Sequence, residues 1–184
     1  MNAEAEPSAD TKLQDQPESI VLQWWREAIA DKKALTGPRA ELKRARSLEE
    51  VVFTPLFHEV RRRLSRTRWR SIERLALVAG VLARVKEHDP SASFARQMAA
   101  SEPGAGTRPK VPPSRFRRLL RTGDEPEELE RLLEQVRRII GLLEGRVNVQ
   151  NLARSLYFWG SGTRKRWALD YYEHVDEHAL AKGK

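Results

Sequence analysis

The sequence predicts an all-α protein, a compact multi-helix bundle, and three observations carry that prediction. Apolar residues recur at i, i+3, i+4 spacing in one segment after another. Helix start signals, a Ser or Thr ahead of the apolar run or a proline in its first turn, punctuate the chain. No stretch alternates apolar and polar residues over the length a half-buried strand needs, and no internal repeat is present.

Residues 1–17 are acidic, poor in apolar side chains and end at Pro17, so they are expected to form a disordered tail. A helix is expected after Ser19, with Ile20, Val21, Trp24, Trp25 and Ala28 on its inner arc. Gly37-Pro38 breaks it, and Pro38 is placed to open a short second helix through Arg46. Ser47 and Glu50 fit a capping box. Thr54-Pro55 repeats the start signal ahead of Leu56, Phe57, Val60 and Leu64. The strongest periodicity runs from Arg68 to Glu87, where Ile72, Leu75, Ala76, Val78, Ala79, Leu82 and Val85 cover a broad arc. That width predicts a central helix touched by several neighbours, with Arg70, Glu73, Arg74 and Arg84 outward. Asp89-Pro90 stops it, and Ser91 is expected to cap a short segment to Ala100.

Residues 101–113 hold four prolines and two glycines and are expected to be a loop. A short helix follows from Ser114 to Arg121. Asp124-Glu125-Pro126-Glu127 then starts a long amphipathic helix carrying Leu129, Leu132, Leu133, Val136, Ile139 and Ile140, closed by Gly145. Two more helices are expected, Asn148 to Trp159 and Thr163 to Ala181. The 184 residues fit one helical domain, 18–182, or two lobes, 18–100 and 111–182, joined by the Pro/Gly-rich loop.

Composition narrows the function classes. The absence of cysteine excludes disulfides and thiolate metal sites. No secretory signal and no apolar run of membrane-spanning length is present, so a cytoplasmic location is expected. Net charge is +8, but residues 1–19 hold five acids and one lysine, leaving +12 on the rest. Twenty-five of the 34 basic residues are arginine, whose planar fork grips phosphate in a bidentate way. A GC-rich genome would also raise arginine, but it has no reason to cluster it. Between Thr107 and Arg121 stand six basic residues and no acid. Wound as a helix, Phe116, Leu119 and Leu120 share one face, while Arg117, Arg118 and Arg121 project from the other with Arg115 at its edge. An apolar anchor under an unneutralised arginine face suits a polyanion, which points to nucleic acid.

Three further basic patches recur: Arg39, Lys43, Arg44 and Arg46; Arg61, Arg62, Arg63, Arg66, Arg68 and Arg70; and Arg164-Lys165-Arg166. Four patches suggest a track for a backbone rather than a pocket. The opposing reading is a solvated helix face, and for the Arg61–Arg70 run, arginines that hold a helix junction. Of the five tryptophans, Trp24 and Trp159 lie on apolar arcs and read as core, whereas Trp69 and Trp167 beside arginines could also stack on bases. His174-Val175-Asp176-Glu177-His178 matches the H-x-x-E-H zinc string, but so near the end of the sequence that it reads as a polar helix rather than a metal site. Gly104-Ala105-Gly106 is too short for a phosphate-binding fingerprint. Neither a catalytic constellation nor a cofactor is expected. A helix-turn-helix regulator and a helical protein-interaction scaffold are the competing classes.

The order of these features resembles the CasB-type small subunit of Cascade, the type I-E CRISPR surveillance complex. The resemblance rests on the Trp24 helix followed by Arg39-Ala40-Glu41-Leu42-Lys43-Arg44, on Pro55-Leu56-Phe57-His58-Glu59-Val60, on Arg115–Arg121, and on Phe158-Trp159-Gly160 before Arg164-Lys165-Arg166. It implies an all-helical, non-enzymatic subunit present as two copies beside the other Cascade subunits. It implies contacts with the crRNA–target DNA R-loop and the displaced single strand. Carried over by position, those contacts fall on Lys43, Arg44, Arg70, Arg115, Arg121, Arg131, Arg164 and Lys165; Arg117 and Arg118 are added from helical geometry. The acidic tail is extra to the family pattern.

Overall fold

The computed structural model describes residues 16–31, 36–101 and 108–175. The expected tail therefore falls almost wholly outside the described residues, as do Gly104-Ala105-Gly106, Asp176 to His178 and the expected end of the last helix. The fold is all-α. Its helices are α1 (Pro17–Trp25, continued by a π-helical turn Arg26–Ala30), α2 (Thr36–Arg44), α3 (Leu48–Val52), α4 (Pro55–Arg63), α5 (Ile72–Leu82), α6 (Phe94–Ala99), α7 (Pro113–Leu120), α8 (Pro126–Leu142), α9 (Val149–Tyr157) and α10 (Ser161–Tyr172). The sequence periodicity gave no sign of one small addition. Glu87–His88 pairs in parallel with Arg146–Val147, too short a ladder to leave an alternating pattern.

Several boundaries moved for identifiable reasons. Helix α1 begins at Pro17, three residues before the expected start, because Glu18 is drawn into the body and accepts from Arg154 Nη1 at 3.1 Å. Helix α5 starts at Ile72 rather than Arg68. There the Tyr157 hydroxyl takes the backbone N–H groups of Arg70 (2.8 Å) and Ser71 (3.2 Å), which a helical turn would have oriented along the axis. Ser93, not Ser91, caps α6; Ser91 instead donates its N–H to Asp89 Oδ1 in a tight turn. The Ser47 hydroxyl caps α3 as expected, but the Glu50 carboxylate reaches one residue further back, to the N–H of Arg46.

Helix α5 is the centre of the bundle. It packs against α2, α3, α4, α8 and α9, and its residues Leu75 to Leu82 are all buried. Gly80 lets two neighbours close in: a Cβ there would lie 2.9 Å from Val51 Cγ2 and 3.1 Å from Leu133 Cδ1. Helix α8 ends in two left-handed residues, Glu144 (φ 57°) and Gly145 (φ 83°), which turn the chain into the short ladder. The Gly145 carbonyl then accepts from Lys86 and Glu87. A single cluster of buried side chains runs from Val21 on α1 to Tyr171 on α10.

Candidate nucleic-acid interface

Helix α7 has the two faces its sequence implies. Phe116 and Leu119 are fully buried and Leu120 half-buried, whereas Arg115, Arg117, Arg118 and Arg121 are exposed. The anchor is aromatic. The Phe116 ring stacks on Tyr171 and meets Tyr172 edge-on, with centroids 5.9 Å apart. The Tyr171 hydroxyl donates to the Val111 carbonyl at 2.6 Å. Burial, assisted by Tyr172, pushes its pKa upward, so it stays a protonated donor.

Along the seam of α7 and α8 lies a groove of about 340 Å³ lined by Arg115, Arg118, Arg131, Glu134, Gln135, Arg138 and Ile139. The structure thus brings together three of the residues singled out in the sequence, Arg115, Arg118 and Arg131. It adds Arg138, which the sequence reading missed. The signal was available, since residues 131, 134 and 138 recur at i, i+3, i+7 and must share a helix face. Among the described residues no carboxylate forms an ion pair with Arg115, Arg118 or Arg121. Arg131 and Arg138 each meet a glutamate of their own helix, Glu128 at 2.7 Å and Glu134 at 3.2 Å. These are exposed pairs, worth at most about 1 kcal/mol and readily exchanged for another anion.

The remaining residues lie elsewhere. Arg70 lines a second groove, of about 450 Å³, with Arg61, Arg62, Ser65, Trp69 and Leu75. In that run only Arg63 has ion-pair partners among the described residues, joining Glu27 at 2.6 Å and Glu59 of its own helix. Arg68 sits over the Phe158 ring, 5.8 Å from its centroid. Lys43 and Arg44 are exposed in the last turn of α2, where cations also complement the helix dipole. Lys165 is exposed near the start of α10, whereas Arg164 is half-buried and reaches the Thr122 carbonyl at 3.4 Å. Trp24, Trp25, Trp69, Trp159 and Trp167 are all buried, so none offers an open face to a base. His174 is exposed, its Nδ1 2.9 Å from the Asp170 carbonyl oxygen. No group of His, Asp or Glu suited to a metal occurs among the described residues, and no helix among them is long and apolar enough to cross a membrane.

Fold and surface together define a class: an all-helical protein presenting arginine-lined grooves on a tightly packed core. The backbone is similar to CasB from Thermus thermophilus (TM-score 0.61, 23% identity, 86% of this chain and 99% of that one). It is also similar to a chain in the crystal structure of E. coli Cascade bound to a PAM-containing dsDNA target (TM-score 0.57, 18% identity, 84% of this chain and 95% of that one). No curated protein matches the sequence. The model of the CRISPR-associated protein Cse2 family matches residues 38–172, and the chain belongs to that family. The matched range contains the Pro55–Val60, Arg115–Arg121 and Phe158–Arg166 stretches on which the resemblance rested, and leaves the Trp24 helix outside.

Proposed function

We propose that this protein is the non-catalytic small subunit of a Cascade-like CRISPR–Cas antiviral surveillance complex. It holds nucleic-acid backbone without sequence preference and stabilises the crRNA–target R-loop. The observation that carries the reading is the convergence of Arg115, Arg118, Arg131 and Arg138 on one groove, in a chain of the Cse2 family. Guanidinium groups on helix surfaces meet phosphates and leave base edges unread. Such contacts suffice here, because exchanging a DNA duplex for an RNA–DNA hybrid is nearly balanced and modest backbone affinity tips it. The partners are the other Cascade subunits, a second copy of this chain, the target strand and the displaced single strand, all in the cytoplasm. Residues 18–182 are read as one domain, supported by the single buried cluster that runs from Val21 to Val175 among the described residues. Lys43, Arg44, Arg70, Arg117, Arg121, Arg164 and Lys165 extend the path beyond the groove.

The test is R-loop formation by the assembled complex on unrelated target sequences, with wild type and with Arg115→Ala/Arg118→Ala. The variant is expected to weaken R-loop formation equally on all targets. Equal R-loop yields from both proteins would refute the reading. A strong preference for one duplex sequence would indicate a helix-turn-helix regulator instead.

A further inference from the structure

The α7–α8 groove does not end at α8. Glu134 and Arg138 also line a neighbouring hollow of about 280 Å³, completed by Arg84 and Arg137. Arg137 is fixed there by neutral acceptors. Its Nε and Nη2 donate to the Gly80 carbonyl at 3.0 and 2.8 Å, and its Nη1 to the Ala45 carbonyl at 2.7 Å. Among the described residues no carboxylate forms an ion pair with Arg84 or Arg137. Burial, followed by the nearby Arg84 charge and opposed by Glu130 and Glu50, pushes the Arg137 pKa down to about 10, so the guanidinium is still charged at neutral pH. The hollow thus gathers three guanidinium groups around one carboxylate.

Like charges held together in a concave site are stabilised by an anion that reaches all of them. Arginine forks suit an oxyanion with several acceptor oxygens. We propose that Arg84, Arg137 and Arg138 form a phosphate site that carries a nucleic-acid strand across α8, from the α7–α8 groove towards the C-terminal end of α5. The proposal rests on the reading that the α7–α8 groove holds such a strand. A phosphodiester is favoured over an isolated anion because the hollow and the groove share Glu134 and Arg138, so the next phosphate of a strand in one is delivered to the other. In this arrangement Arg137 is the rigid member, while Arg84 and Arg138, both exposed, close on the phosphate from either side.

Oligothymidylates of increasing length, titrated against the full chain over a range of salt, test this. The proteins are wild type, Arg84→Gln, Arg84→Lys and Arg115→Gln/Arg118→Gln; Arg138 is kept because it also lines the α7–α8 groove. Arg137 is left intact because its bonds to Gly80 and Ala45 are structural. For long oligomers Arg84→Gln is expected to lower the salt slope by about 0.7 per contact removed, with Arg84→Lys restoring it. Oligomers short enough to fill only the α7–α8 groove should bind Arg84→Gln with the wild-type slope. Equal slopes for wild type and Arg84→Gln on long oligomers, with binding still weakened by Arg115→Gln/Arg118→Gln, would overturn the α8 crossing and leave the groove reading standing. Binding untouched by Arg115→Gln/Arg118→Gln would overturn both.

Discussion

The Phe116 ring lies almost flat against Tyr171, centroids 3.8 Å apart and planes 14° from parallel. This one stack joins α7, which carries the arginines, to α10, and so sets the direction in which Arg115 and Arg118 face. The anchor and the contact residues of the same short helix are therefore separable by mutation.

Phe116→Ala removes a fully buried ring that stacks on Tyr171 and meets the edge of Tyr172. It is expected to destabilise the fold by about 3–5 kcal/mol, the usual range for a buried Phe truncated to Ala. A urea titration followed by tryptophan fluorescence measures it; a loss below about 1 kcal/mol would mean that α7 is held by other contacts.

Arg115→Ala with Arg121→Ala should behave in the opposite way. Both side chains are exposed and outside ion pairs among the described residues, so stability should stay within about 0.5 kcal/mol of wild type while R-loop formation by the assembled complex weakens. A marked drop in the unfolding midpoint would make those arginines structural.

Gly80→Ala probes the crossing at the centre of the bundle. The new methyl would stand 2.9 Å from Val51 Cγ2 and 3.2 Å from Arg137 Nη2, and the core must shift to admit it. Overpacking of this kind costs about 1–3 kcal/mol, to be read from thermal unfolding at constant protein concentration.

Acid should weaken the fold through His88. Its Nδ1 accepts the Val149 N–H at 3.1 Å, and burial, followed by the Arg26 charge, depresses its pKa below the ordinary 6.5. The unfolded chain then binds the proton more readily than the folded one. The contribution is thus fully present above pH 6.5 and is lost as the pH falls towards the lower folded value. Glu27 and Asp89, held low by hydrogen bonds from Arg63 and Ser91, lose their contributions only further into the carboxylate range. Unfolding midpoints at pH 7.5 and 5.5 should differ less in His88→Asn than in wild type; an equal difference would remove His88 as the cause.

The all-α class, the central position of α5 and the two faces of α7 were legible because each depends on residues within a turn or two of one another. Phe116 and Leu119 need only helical spacing to be placed together. The grooves were legible in part. Arg115 and Arg118 stood out for the absence of nearby acids, whereas Arg138 was masked by Glu134 four residues earlier, a pairing that looks locally neutral. Trp69 showed the limit in the other direction: beside Arg68 and Arg70 it could have been a stacking surface, and only its stack on Tyr157, 4.4 Å between centroids, identifies it as core.

The sequence by itself determined that helices form, where those opened by Ser47, Thr54-Pro55 and Asn148 begin, and that arginine outweighs acid along the 107–121 stretch, since spacing, capping and charge are local properties of the chain. The tertiary structure alone decided which cations share a groove. Arg118 and Arg131 lie on different helices, and Arg84 and Arg137 are more than fifty residues apart. Their approach depends on how α7 docks on α8 and how α5 is clamped through Gly80. Those are long-range packing relations that no local pattern encodes.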